Sequence, residues 1–346
     1  MSRATNPRWA CTARAPTARF GLLLVGLAAF GCQAGSDASS GSEAGGDPAA
    51  YPGGEIEVVS WATPGGPTDL LSRSLARVGA RHFGVDMRVV TREGGSGAAA
   101  MRYLSSRPAD GHTLAVFTSS GAINMATGRI PFGVDDFTYL LRVQLDPFLI
   151  AVREESPFRT LEDLFAHARK NPGQLSIAGF GAASAHFLAF QRLSARAGDP
   201  DIRWIAYGGS GEAAVAALGG HTDVVHTNYN TIREHLRAGT MRVLGVSAPV
   251  STLPDVPTYG DQGYDVSPVH WRGVVAHGEL PDPLADRIRS LLQATVEDPE
   301  FQEFMRTGAT EDGRFETRTA FRSWVEEEVE ADRELLRRLD LLERGR

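Results

Sequence analysis

Four glycine- and serine-rich loops, at residues 62–69, 118–121, 181–186 and 207–211, hold the groups best suited to chemistry. The first reads Ala62-Thr63-Pro64-Gly65-Gly66-Pro67-Thr68-Asp69. The others are Thr118-Ser119-Ser120-Gly121, Gly181-Ala182-Ala183-Ser184-Ala185-His186 and Tyr207-Gly208-Gly209-Ser210-Gly211. Each follows a β-rich run, and most precede a helical pattern. Their backbone N–H groups therefore face outward together with the positive end of a helix dipole. None contains Lys or Arg. Amides and hydroxyls without a fixed cation suit a small carboxylate that must also be released.

Catalytic constellations are weaker. Ser184 and His186 lie too close in the chain to be assumed a nucleophile and its base, and no Gly-x-Ser-x-Gly elbow surrounds Ser184. His186 has two open roles, touching a ligand or packing in the first helical turn. Asp69 is either an acid catalyst or, as the reading favours, the acceptor that orders the Pro-Gly-Gly loop. The run Gly179-Phe180-Gly181-Ala182-Ala183-Ser184 lacks the third glycine of a dinucleotide fingerprint and the acidic partner downstream. The 9 histidines show no metal-ligand spacing. No cofactor and no metal is expected.

The chain of 346 residues is long enough for about two domains. A formal charge of −7 offers no basic surface for nucleic acid. Its 2 cysteines, Cys11 and Cys32, exclude a disulfide scaffold. Residues 1–31 carry Arg3, Arg8, Arg14 and Arg19, then the apolar run 20–30, which fits a secretory signal and is too short to span a bilayer. Gly31-Cys32 resembles a lipobox, so Cys32 is expected to carry a lipid and anchor the protein outside the cytoplasm. Residues 32–50 lack bulky apolar side chains and read as a flexible tether.

The elements that must position the loops follow from periodicity. Strands are expected at 56–61, 87–90, 113–117, 148–152, 175–178, 202–206, 223–226, 241–246 and 273–276, alternating with helical patterns. Pro67 suits a first helical position, and Thr160 with Asp163 forms a near capping box. Such alternation indicates an α/β fold with mostly parallel sheets and right-handed crossovers. The acidic run Glu326-Glu327-Glu328 reads as a solvated helix face.

Several segments together resemble the Bug-type extracytoplasmic receptors of the tripartite tricarboxylate transporter family. They are Tyr51-Pro52, residues 64–69, residues 107–114 (RPADGHTL), residues 171–175 (NPGQL), residues 216–224 (AALGGHTDV) and residues 253–258 (LPDVPT). The resemblance covers 51 to about 340. It implies two Rossmann-like lobes joined by two hinge strands, a type II periplasmic binding protein-like fold. Lobe one is then 51–148 plus 272–346 and lobe two 149–271, with crossing strands at 148–152 and 273–276.

By the same resemblance, Gly65, Gly66 and Thr68, with Asp69 as organiser, face one ligand carboxylate. Tyr207, Gly208 and Gly209 complete that arrangement. Ser119, Ser120, Ala183 and Ser184 meet the other end of the ligand, Thr227 and Asn228 sit at the rim, and Trp61 and Trp271 form apolar walls. The implied function is capture of a small organic acid by lobe closure and delivery to two integral membrane subunits, by a monomer that performs no chemistry. A ligand-sensing accessory of a sensor kinase and an exported hydrolase using Ser184 or Asp69 are the alternatives. Gly208 stands where a lysine is common, Thr227 where aspartate is frequent, and Arg272 where many relatives are apolar. These departures leave the ligand open, and Arg272 faces either a distal acid group or solvent.

Overall fold

The computed structural model describes residues 50–342 except 63, 183, 309 and 316. The signal-like segment, Cys32, the tether up to residue 49 and Ala183 lie outside the described residues. None of the described helices is long and apolar enough to cross a membrane.

The first half of the chain builds β1 (Ile56–Ser60), α1 (Pro67–Phe83), β2 (Met87–Thr91), α2 (Ala98–Ser105), β3 (Thr113–Thr118), α3 (Ser119–Thr127) and β4 (Phe137–Arg153). Then come α4 (Leu161–Lys170), β5 (Ser176–Phe180), α5 (Ala185–Arg196), β6 (Arg203–Tyr207), α6 (Ser210–Leu218), β7 (Val224–Asn228), α7 (Tyr229–Arg237) and β8 (Met241–Val246). The chain finishes with β9 (Val269–His277), α8 (Asp282–Glu297), α9 (Pro299–Thr307), the short β10 (Glu311–Asp312) and α10 (Arg318–Arg338).

Every residue of β1, β3 and β7 is buried, as expected of strands covered on both faces by helices. Pro67 occupies the start of α1, and Gly84 ends it in the left-handed conformation. In α4 the Thr160 hydroxyl accepts the Asp163 N–H at 3.1 Å while the Asp163 carboxylate accepts the Thr160 N–H at 3.0 Å. That reciprocal box satisfies two donors the helix itself cannot.

The strand order is β2-β1-β3-β9-β4-β7-β5-β6, with β8 and β10 pairing β4 off this path. β2 and β3 flank β1 in parallel, and β6 and β7 flank β5 in parallel. The centre is antiparallel: β9 runs against β3 and β4, and β4 runs against β7 and β8. The parallel pairing inferred for most of the sheet is thus confined to its two flanks.

Within β4 the stretch from Phe137 to Pro147 pairs with β9, whereas Phe148 to Arg153 pair with β7 and β8. One strand therefore belongs to both halves of the fold. The strand expected at 148–152 is only its second part. The stretch 273–276 lies inside β9, bonded to β3 from Arg272 onward and to β4 from Val269 onward. Residues 227 and 228, expected after a strand, are the last two of β7.

One apolar cluster unites β1, β3 and β9 with α1, α8 and α9. A second unites β3, β9 and β4 with α2, α3 and α10, and α5 adds Ala185, Leu188 and Ala189 to it. Smaller cores hold α4 and α5, and α6 and α7, against the other strands.

Trp271 belongs to the second core. It is 0% exposed and meets Phe117, Phe321 and Trp324 at ring separations of 5.7, 5.7 and 5.2 Å. It is a core residue and not the cleft wall expected from the sequence. Trp271→Ala should therefore cost about 3–5 kcal/mol of stability, as a large buried aromatic does when truncated. Trp61→Ala, at a half-buried position, should cost far less; urea unfolding of the two variants distinguishes them.

Candidate functional site

Five helices, α1, α3, α5, α6 and α7, begin at a shared cleft of about 330 Å³. Each follows the end of a strand in one of the parallel flanks, where an α/β sheet presents its ligand site. Pro67 and Thr68 of α1, Ser120 of α3, Ala185 and His186 of α5, Ser210 of α6 and Asn230 and Thr231 of α7 all line it. The first N–H groups of a helix have no partner within it, so these termini present donors and the positive ends of the dipoles to whatever enters. Trp61 and Phe180 supply apolar walls.

The loop before α1 is ordered by its own helix. The Gly65 N–H donates to Asp69 Oδ2 at 2.9 Å, and Arg73 Nε donates to the same oxygen at 2.8 Å. Gly65 has φ of +85°, which a side chain would resist. Burial alone would push the fully buried Asp69 carboxyl up, but Arg73 and the Gly65 amide outweigh it and hold the pKa below the usual value. The loop before α6 repeats the device: the Gly208 N–H donates to Glu212 Oε2 at 3.1 Å, again four residues on. Before α5, the Ser184 hydroxyl accepts the Phe187 N–H at 3.3 Å and donates to the Phe180 carbonyl. Asp69 and Ser184 are thus both engaged in loop structure.

Of the residues selected from sequence, Trp61, Thr68, Ser120, His186 and Asn228 come together on the cleft lining. Gly65, Gly66, Asp69, Ser184, Tyr207, Gly208 and Gly209 are not among the lining residues; they stand within a few residues of the starts of α1, α5 and α6. Ser119 lines a separate small recess with Arg192 and Asp332. Thr227, expected at the rim, is 0% exposed. Asn228 donates from Nδ2 to the carbonyls of Asp146 and Pro147 at 3.1 and 3.0 Å, tying the end of β7 to the crossing of β4.

Asp146, His270, Arg272, Ser210, Asn230 and Thr231 line the cleft without having been selected as site residues. Arg272 is 4% exposed, so it faces neither bulk solvent nor an apolar wall. Its Nε donates to Thr68 Oγ1 at 3.3 Å, Nη1 to Gln144 Oε1 and Asp146 Oδ2 at 3.4 Å each, and Nη2 to Asp146 Oδ2 at 3.4 Å. Burial pushes the Asp146 carboxyl up, opposed in part by Arg272 and Asn228. The donor set of the cleft is therefore not wholly uncharged. Strand alternation was the available signal: adjacent residues of β9 point to opposite faces, so only one of Trp271 and Arg272 could face the cleft.

Part of the lining belongs to an aromatic nest centred on Phe148. Its ring lies 4.8 Å from His186, 5.0 Å from His226 and 6.4 Å from His270. Burial lowers the His186 pKa to about 4 and holds those of His226 and His270 well below the usual value. Near neutral pH all three are uncharged. Among the described residues, no group of three or more His, Cys, Asp and Glu is arranged to hold a metal ion.

Comparison with known proteins bears on the family and the fold. The sequence profile of the family described as "Tripartite tricarboxylate transporter family receptor" matches residues 71–341. The chain is 30% identical to Protein BugT of Bordetella pertussis over 270 residues, covering 75% of this chain and 82% of BugT. A TctC solute binding protein from Polaromonas superimposes with a TM-score of 0.75 at 22% identity, covering 83% of this chain and 99% of that one. MatC from Rhodopseudomonas palustris, solved with bound malate, superimposes at 0.67 and 21% identity, covering 83% of this chain and all (100%) of MatC.

Two outcomes test the site as built. Asp69→Ala leaves the Gly65 amide and Arg73 without their acceptor and should cost about 1–3 kcal/mol in thermal unfolding. The buried histidines set a pH dependence. Their folded pKa values lie below the unfolded value near 6.5, so their stabilisation is complete above about pH 6.5 and is lost progressively as pH falls, for His186 toward about 4. His186 alone is worth on the order of 3 kcal/mol over that interval. Melting temperature should fall between pH 7 and 5, and His226→Phe should flatten that slope.

Proposed function

We propose that this chain, which belongs to the tripartite tricarboxylate transporter receptor family, captures a small organic carboxylate outside the cytoplasm and delivers it to an integral membrane transporter. The observation that carries the reading is the cleft into which five helix N-termini from both flanks of the sheet open. Each contributes donors and about half a positive charge, so a carboxylate is favoured there with little need of fixed cations. A volume of about 330 Å³ fits an acid of a few carbons. Residues 1–31 serve as the export signal in this reading, and Cys32 as the lipid-bearing anchor above which the domain moves on its tether.

Residues 51–148 with 272–346 form one lobe and 149–271 the other, and the ligand closes them about their connecting strands. The acid meets the donors of one lobe first; closure then brings the opposite helix termini onto it. Closure is favoured only by the extra affinity of the closed form. The closed receptor is the form the transporter recognises. MatC, solved with malate, motivates including that acid among the probes.

A thermal-shift screen of residues 33–346 against malate, succinate, aspartate, adipate and citrate tests the reading. An acid at a hundred times its Kd adds about 2.7 kcal/mol, which raises Tm by roughly 4 °C in a protein of this size. The corresponding amides should leave Tm unmoved. If no acid in the panel shifts Tm, the carboxylate reading fails.

A further inference from the structure

The ion pair on the cleft floor is poorly made for a buried one. All four contacts of the Arg272 guanidinium measure 3.3–3.4 Å. Charge-assisted bonds of this type usually measure about 2.7–2.9 Å. The same chain makes them at that length elsewhere: Arg73 to Asp69 at 2.8 Å and Arg192 to Asp332 at 2.7 Å. Arg272 and Asp146 are 4% and 7% exposed, so both have given up most of their water. Two desolvated charges at loose distance recover little of that cost. Both residues are among those that line the cleft.

The pair also dictates what a guest must bring. A planar carboxylate offers the guanidinium two short parallel bonds and so draws it from Asp146. Asp146 Oδ2 is the acceptor of both its contacts with Arg272, so the exchange leaves a buried carboxylate short of donors. A guest with a hydrogen-bond donor beside its own carboxylate repairs that loss; a plain acid does not. Resting on the carboxylate-receptor reading, we propose that Arg272 is a ligand-carboxylate subsite and Asp146 a specificity-determining residue. Together they select acids bearing a hydroxyl or ammonium group on the carbon next to the carboxylate. Thr68 and Gln144, the other acceptors of Arg272, hold the guanidinium in place during the exchange.

Calorimetric titration with succinate, malate and aspartate tests this on one carbon skeleton carrying hydrogen, hydroxyl or ammonium. Adipate, 2-hydroxyadipate and 2-aminoadipate repeat it on a longer one. The wild-type chain should bind the hydroxy or amino acid about tenfold or more tightly than the plain acid of the same skeleton. Which of the two wins identifies the donor. Arg272→Gln should weaken every acid by roughly thirtyfold.

Asp146→Asn should act in the opposite sense, tightening the plain acid and reducing the preference to within about threefold. A merely structural pair would weaken binding in both variants. Should either variant fail to fold by circular dichroism, the wild-type ratio decides alone. Equal affinity for plain and donor-bearing acids overturns the proposal while leaving the carboxylate reading intact. Unchanged selectivity in Asp146→Asn, or unchanged affinity in Arg272→Gln, also overturns it. Failure of both skeletons to bind overturns it, while a Tm shift by citrate would still preserve the broader reading.

Discussion

Backbone amides that no helix can satisfy internally are the constraint on which this protein is organised. Five helices begin at one cleft, so their unpaired donors and aligned dipoles concentrate positive potential in a small volume. The fold partly relieves this from within. Asp69 and Glu212 each take up a loop amide four residues upstream, and the Ser184 hydroxyl caps α5. The donors that remain sit on backbone held by packed helices.

The same arrangement explains why β4 matters. A strand paired with β9 along its first part and with β7 and β8 along its second couples the two flanks directly. Other contacts add to this coupling. Arg192 of α5 reaches Glu328 and Asp332 of α10 at 3.2 and 2.7 Å. Asn230 bonds the Gly308 carbonyl, and the Ser251 amide donates to Glu311 Oε1 at 2.9 Å. Separating the flanks has to break these contacts and expose part of the core around Phe148, whose neighbours include Ala185 and Leu188.

Much of the fold was legible locally. The strands of the flanks are short apolar runs, and the helix starts announce themselves through Pro67, Thr160 and the glycine- and serine-rich loops. The length of β4 was not legible. Residues 137–147 include Arg142, Gln144, Asp146 and Pro147, which interrupt an apolar pattern and argue against a strand. Pairing with β9 along most of that stretch overrides the local preference. The start of α7 escaped notice for a related reason: Asn228-Tyr229-Asn230 carries no glycine or serine to mark an open loop. The family resemblance assigns Trp271 to a cleft wall and leaves Arg272 between a distal acid group and solvent; the pleat of β9 sends Trp271 to the core and Arg272 to the cleft.

By itself, the sequence determined where backbone donors would be left over, because capping, turn chemistry and strand alternation act over a few residues. It likewise carried the motifs of the receptor family. Tertiary structure alone decided which loops share a cavity and that Arg272 meets Asp146, 126 residues earlier in the chain, beneath them. Pairing between distant strands depends on burying many side chains at once, and no short window of sequence contains that information.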